Sequence, residues 1–255
     1  MPRAVSHRPA DYLLVDISNS FTKLAYASRK RLGRSVRVPT GKLSVTKIGS
    51  MLRRRPVRTI VVSSVVPQKN HLVRRVACQT PILFLTPHLH LGVGVDYPAP
   101  ASIGADRLAN AAAVAQLYGF PAIVVDFGTA VTFDVVSSRG DYIGGVIAPG
   151  LESMTNFLYQ RTALLPKLSL HEPTAAVGKS TRSAMMAGAI FGYRGLVREI
   201  LLRIRAEEFR RQKVQVVATG GYAELIAQQL PEIESVHPNL TMEGLRIVGN
   251  LNVAL

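Results

Sequence analysis

The chain has 255 residues, 47 % of them hydrophobic, and its 31 Lys and Arg against 16 Asp and Glu give a formal charge of +15. That apolar content excludes a disordered chain and suffices for one large domain or two lobes. No apolar run approaches the roughly 20 residues of a membrane span, and the single cysteine, Cys78, excludes an intrachain disulfide or thiolate metal cluster. The opening MPRAVSHRPA has no apolar stretch behind it, so residues 1–10 read as a flexible lead without a secretory signal, and the expected compartment is the cytoplasm. Excess basic charge favours anionic partners. Its main runs, SRKRLGRSVR (28–37), RRRPVR (53–58) and EEFRRQK (207–213), lack interleaved aromatics and zinc-finger spacing. They read as solvated faces, and nucleic acid is not an expected partner.

The first patterned stretch, LLVDISNSFTKLAY (13–26), is an apolar strand reaching Asp16, a small polar turn and a second apolar strand: a hairpin. RSVRVPT alternates like a third strand, and KLSVTKIGSMLRRR carries a short helix. TIVVSSVVP (59–67) is a buried strand closed by two serines, and Pro67 opens the helix QKNHLVRRVAC, in whose apolar context Cys78 is expected to be buried and inert. After the short strand PILFLT, prolines and glycines forbid regular structure through PHLHLGVGVDYPAPASIG, where His88 and His90 lack a third metal ligand. GADRLANAAAVAQLYG (104–119) is an alanine-rich helix with Asp106 and Arg107 in its first turn, an ion pair and cap or a base beside an anion clamp.

A second hairpin follows in IVVDFGTAVTFDVV (123–136), with Asp126, Gly128 and Thr129 at its turn. Such a loop admits a phosphate or hydrated cation, because bare backbone N–H groups and hydroxyls donate to oxygen anions and the carboxylate attracts cations. GDYIGGVIAPG (140–150) is a strand whose paired glycines mark a bulge or close approach. A helix spans 151–160. From Ser180 to Lys213 run one or two long helices, in which Ala184, Ala187, Gly188 and Gly192 read as tight packing. VQVVATGGYAEL is strand, glycine pair and helix, a weak nucleotide-contact signal, and EGLRIVGNLNVAL closes the chain as a helix. Aligning Asp16 with Asp126 aligns Ser18 with Gly128 and Thr22 with Thr132. The chain therefore reads as a duplicated α/β lobe, 11–119 and 120–255. No G-x-G-x-x-G follows a strand, and GKST at 178–181 lacks P-loop spacing.

These motifs, in this order, resemble the type III pantothenate kinases, the CoaX family of the acetate-and-sugar-kinase/Hsp70/actin superfamily. The family's D-x-G-N-T-x-x-K is here DISNSFTK (16–23). Its loop tyrosine and G-A-D-R are here Tyr97 and Gly104-Ala105-Asp106-Arg107, and its D-x-G-T-A-x-T is DFGTAVT (126–132). YIGGVIAPG (142–150), GKST and the glycine pair Gly220-Gly221 complete the set. Ser18 stands where the family has glycine and Ser20 where it has threonine. Were the family's glycine left-handed, serine there would cost about 1 kcal/mol.

The resemblance implies duplicated ribonuclease-H-like, actin-like ATPase lobes with mixed β-sheets and an inter-lobe nucleotide cleft. It implies ATP-dependent phosphorylation of pantothenate to 4'-phosphopantothenate, the first step of coenzyme A synthesis, by a homodimer. Asp106 would be the catalytic base. ATP would lie on Asp16, Ile17, Ser18, Asn19, Ser20, Phe21, Thr22, Lys23 and Thr129, with Mg²⁺ at Asp16. A monovalent cation, potassium or ammonium, would sit at Asp126, and Tyr97, Gly104, Ala105, Arg107 and Thr181 would bind pantothenate. The alternatives are another small-molecule kinase of the superfamily, or an inactive or regulatory member with an accessory role in gene expression.

Overall fold

The computed structural model describes residues 10–210 and 212–254. The expected flexible lead lies outside them except for Ala10, which already begins a strand. The chain divides into two compact units, Met1–Gln116 with Leu240–Leu255, and Leu117–Asn239. The closing helix, assigned from sequence to the second lobe, thus belongs to the first unit, because its apolar face is matched to the first sheet.

In the first unit, β1 (Ala10–Ile17), β2 (Phe21–Ala27), β3 (Val36–Pro39), β4 (Val57–Ser64) and β5 (Ile82–Phe84) form a sheet in the order β3-β2-β1-β4-β5. β1 and β2 are antiparallel, while β1, β4 and β5 are parallel. β1 is buried on both faces, which explains its near-continuous apolar run. Leu13, Val15 and Ile17 pack with Ile48 of α1 (Val45–Arg54) and Val73 of α2 (Asn70–Ala77). A two-residue strand, β6 (Gly94–Val95), and α3 (Ala105–Tyr118) follow. The opposite face of the sheet receives the closing helix, Leu240–Asn252, whose Asn250 Oδ1 accepts from Tyr12 Oη at 3.0 Å. That helix crosses α3 so closely that a Cβ on Gly244 would lie 2.0 Å from the Ala109 carbonyl oxygen.

The second unit repeats the plan. β7 (Ala122–Phe127), β8 (Ala130–Val136), β9 (Asp141–Pro149), β10 (Gln215–Gly220) and β11 (Ser235–Val236) follow one another as β11-β10-β7-β8-β9. The glycine pair in β9 does mark a bulge: Val135 faces Gly144 while Val136 faces Tyr142, and Gly144 has φ +124. Three helices, α4 (Leu151–Arg161), α5 (Thr181–Ile204) and α6 (Ala223–Ala227), complete the unit, so that the closing helix is α7. α5 buries Ile190, Tyr193, Val197 and Leu201, at helical spacing, in the core. Gly188 and Gly192, however, have nothing within 4 Å of an added Cβ, so the expected tight packing is absent at these two glycines among the described residues. Cys78 also differs from expectation: it caps α2 with φ 48, where the chain turns out of the helix, and its side chain is exposed. Among the described residues, no helix is long and apolar enough to cross a membrane.

The α3–α7 crossing generates a stability prediction. Gly244→Ala forces two helix backbones apart and should lower unfolding free energy by about 1–3 kcal/mol, read from the midpoint of a urea titration. An unchanged midpoint would mean that the crossing is looser than described.

Candidate functional site

The chemistry-bearing residues fall at one edge of each sheet. In the first unit Asp16 lies one residue before the end of β1 and is 5 % exposed. Its antiparallel neighbour is Lys23 and its parallel neighbour is Ser63, so all three side chains leave the same face of the sheet. The Ser63 hydroxyl is fully buried and has no hydrogen-bond partner among the described residues. A buried hydroxyl without a partner beside a buried carboxylate is a site prepared for something that brings its own oxygens. Hard donors of this kind suit a hydrated magnesium ion, which keeps several waters and takes one or two protein oxygens.

The loop after Asp16 is pinned from below. Thr40 Oγ1 donates to the Ser18 carbonyl at 2.6 Å, Thr22 Oγ1 lies 3.1 Å from Thr40 Oγ1, and the Thr40 amide donates to the Ser20 carbonyl at 3.0 Å. Ser18 Oγ stands 3.4 Å from both Asp16 carboxylate oxygens. Asn19 and Ser20 are exposed at the tip. The loop's remaining ATP-site candidates are the buried Ile17 and Thr22 and the half-buried Phe21.

The register corrects the expected internal alignment. Ile17 pairs with Thr22, whereas Phe127 pairs with Val131, so the first turn is one residue longer than the second. Lys23, not Thr22, therefore occupies the place of Thr132 opposite the acidic residue, and Thr22 turns to the other face to support the loop.

The first turn of α3 belongs to the same unit. The Val65 amide, just past β4, donates to the Ile17 carbonyl at 3.0 Å. A Cβ on Gly104 would lie 3.5 Å from Val65 Cγ1 and 2.6 Å from Asp106 Oδ1, so glycine leaves room for that carboxylate. Asp106 and Arg107 are half-buried, and Ala105 beside them is buried. Behind them Asn110 Oδ1 accepts from Thr241 Oγ1 at 2.8 Å, tying α3 to α7. Tyr97 is half-buried in the irregular segment before this turn.

In the second unit Asp126 lies between Thr132 and Thr219 on its neighbouring strands. The loop residue Thr129 has its carbonyl held by the Gly150 amide at 3.1 Å and by Ser153 Oγ at 2.7 Å. Any side chain at Gly150 would strike that oxygen. The pair Gly220-Gly221 turns out to serve packing. Gly220, at φ +95, lies against the Phe127 backbone, and the Gly221 amide donates to the Phe127 carbonyl at 3.0 Å, so it is not a spare phosphate donor. Thr181 is exposed in the first turn of α5, behind the Ser180–Ser183 capping box. Among the described residues, no three His, Cys, Asp or Glu side chains cluster as a metal site, so a cation here would rest on single carboxylates. Sequence reasoning did not single out Thr40 or Ser63 as functional. The signal for Ser63 was the pair of serines ending an otherwise apolar buried strand.

The family model described as Type III pantothenate kinase matches residues 12–203. The type III pantothenate kinase of Akkermansia muciniphila is 48 % identical over 248 residues, covering 95 % of this chain and 99 % of that protein. The type III pantothenate kinase of Methylacidiphilum infernorum is 41 % identical over 239 residues, covering 94 % and 88 %. Among solved structures, a candidate Baf family transcriptional activator from Campylobacter jejuni superposes with a TM-score of 0.57 at 18 % identity, covering 93 % of this chain and 97 % of that one. That last likeness speaks to the fold alone, α/β with mixed sheets.

Ser18 can be tested without any ligand. Neither Ser18 nor its counterpart Gly128 has a positive φ. Serine therefore relieves nothing by leaving, and Ser18→Gly should lower stability by roughly 0.5–1 kcal/mol through backbone entropy. A gain in denaturation midpoint would show that the position is strained.

Proposed function

The chain belongs to the type III pantothenate kinase family, and we propose that it transfers the γ-phosphoryl group of ATP to the primary hydroxyl of pantothenate, giving 4'-phosphopantothenate and ADP. The observation that carries the reading is the first-unit edge, where Asp16, Lys23 and Ser63 share one face and α3 begins, on the same unit, with Gly104, Ala105, Asp106 and Arg107.

On this reading ATP contacts both acidic hairpin loops, residues 16–23 and Thr129. Asp16 would hold magnesium, with the Ser63 hydroxyl donating to one of its waters, and the bound ion would neutralise phosphate charge. Lys23 supplies a further positive charge on that face. Asp126 would hold a potassium or ammonium ion that offsets charge near the transferred group. Asp106 accepts the proton of the attacking alcohol as the new O–P bond forms. Arg107 and Tyr97 orient the substrate, Gly104 and Ala105 allow close backbone approach, and Thr181 adds a hydroxyl.

The homodimer is part of the same proposal. Met154 and Phe157 of α4 and Phe191 of α5 are exposed, and Gly188 and Gly192 are open to close approach. Such a surface suits a second copy of the chain.

Two measurements test the reading. Asp106→Asn should lower kcat for pantothenate phosphorylation by about 10²–10⁴-fold with an unchanged melting temperature; full activity in that variant would remove Asp106 from the mechanism. Ser63→Ala should melt no lower than the parent protein without ligand, because it deletes a buried hydroxyl that bonds to nothing. Its stabilisation by Mg·ATP should be clearly smaller, and equal stabilisation would take Ser63 out of the nucleotide site.

A further inference from the structure

The basic charge is divided very unequally. In residues 117–239 Lys and Arg outnumber Asp and Glu by one, so nearly all of the formal +15 belongs to the first unit. Topology then gathers it. β1 and β4 are parallel from Ala10 and Val57 onward, and β2, antiparallel to β1, ends beside Tyr12 at Ala27. The β2–β3 loop, the start of β4 and the start of β1 therefore share one end of the sheet. α1 ends at Arg54, three residues before β4, and α2 ends five residues before β5, so both helices finish at this same end. It is opposite to the edge that carries Asp16, about 23 Å away by the length of β1.

Two of the three basic runs that sequence alone read as scattered solvated faces, 28–37 and 53–58, converge here, while 207–213 belongs to the second unit. The β2–β3 loop brings Arg29, Lys30, Arg31 and Arg34, all exposed. The last turn of α1 brings Arg53 and Arg54, and that of α2 brings Arg74 and Arg75, also exposed. The start of β4 adds Arg58. Favourable placement at helix C-termini accounts for the two last-turn pairs, and Arg29 Nη2 donates to the Asn250 carbonyl in the last turn of α7 at 3.2 Å, but neither accounts for Lys30, Arg31 and Arg34. The nearby carboxylates are already engaged: Asp11 Oδ1 lies 3.9 Å from Arg58 Nε and Asp11 Oδ2 accepts the Arg29 amide, while Glu243 pairs with Arg246 at 2.6 Å. Arginine dominates the set, and the Arg55 guanidinium is laid 5.7 Å over the Tyr26 ring; Arg74 instead turns along α2 to lie 4.6 Å over Phe84, which pairs with Val62 beside Val15.

We propose that this basic end of the first unit binds the phosphate backbone of nucleic acid without reading its sequence. Arginine's planar fork matches phosphate oxygens two at a time and stays charged at every physiological pH. Stacking on Tyr26 holds the Arg55 fork in place before the partner arrives. An anionic lipid surface fits less well. Membrane-bound basic patches gain their hold by inserting apolar side chains, and among the described residues only Val36, 40 % exposed, is a large exposed apolar side chain beside the loop.

The test uses the full-length protein, a fluorescent DNA duplex of about 20 base pairs and a salt series starting near 50 mM, followed by anisotropy. The expected result is micromolar binding whose logarithm falls linearly with the logarithm of salt concentration. The variant R53Q/R54Q/R75Q should bind at least tenfold more weakly and flatten that slope by about 2.7, at about 0.9 for each phosphate that is no longer neutralised. It should keep pantothenate phosphorylation, with a melting temperature lowered only as far as the loss of three last-turn cations at two helix ends allows. The loop variant K30Q/R31Q/R34Q should weaken binding in the same direction, so that misfolding of one variant still leaves a decision. Arg161→Gln with Arg203→Gln, in the second unit, should change nothing. Absence of binding at the lowest salt, native affinity in both first-unit variants, or tighter capture by phosphatidylserine vesicles than by the duplex would overturn the proposal.

Discussion

Each unit is built around a strand that pairs antiparallel on one side and parallel on the other, with an acidic residue placed just before its end. The double pairing decides what lies beside that carboxylate. For β1 the register puts Lys23 on one side of Asp16 and Ser63 on the other, and for β7 it puts Thr132 and Thr219 beside Asp126. A one-residue slip in either pairing would turn the carboxylate's neighbours to the opposite face, so the chemistry depends on register more than on any single contact. The register is in turn fixed by burial. Leu13, Leu14 and Val15 in one unit and Ile123, Val124 and Val125 in the other are fully buried on both faces of their sheets.

Within that shared plan the two halves have diverged in ways that suit different tasks. The first turn, one residue longer, is held from below by the Thr22–Thr40–Ser18 chain of hydroxyl and carbonyl groups, which leaves its tip in the solvent. The second turn is tighter and is buttressed by Gly150, Ser153 and Gly221, all of which bond to or press on the backbone of Phe127 or Thr129. A longer loop with a lysine opposite its carboxylate suits a polyphosphate with magnesium. A shorter one flanked by threonines offers neutral oxygens, which suit a weakly held monovalent ion.

Much of this was legible in the sequence because strands buried on both faces advertise themselves as apolar runs, and because Asp-plus-small-residue turns follow them twice. The family motifs then fixed which residues to look at. What could not be read was what depends on partners distant along the chain. α7 joins the first unit because Gly244 fits against Ala109 and Asn250 reaches Tyr12, contacts spanning more than half the sequence. Gly220-Gly221 looked like a nucleotide turn because a glycine pair before a helix has that signature, yet the pair is consumed in joining β10 to β7. Cys78 looked buried because its helix is amphipathic, but it falls one residue past the helix end, where the backbone swings its side chain outward. Thr22 looked equivalent to Thr132 because alignment without a gap cannot see a loop lengthened by one residue.

The separation of charge within the first unit constrains what that charge can do. At physiological ionic strength the Debye length is about 8 Å, and the basic end stands roughly three such lengths from the Asp16 loop along β1. Its field at the loop is largely screened, so it adds little to the attraction of ATP or pantothenate. The last-turn arginines favour the ends of α1 and α2 and Arg29 bonds to the last turn of α7, but Lys30, Arg31 and Arg34 give the fold no such return, since like charges crowded at one end repel each other and the few carboxylates nearby are already paired. A cluster of loop charges remote from the Asp16 edge and not called for by the sheet beneath it is best understood through the anion it faces. On the two readings proposed above, the ends of β1 would carry separate binding chemistries on one strand, a carboxylate for a hydrated cation at one and guanidinium forks for phosphates at the other.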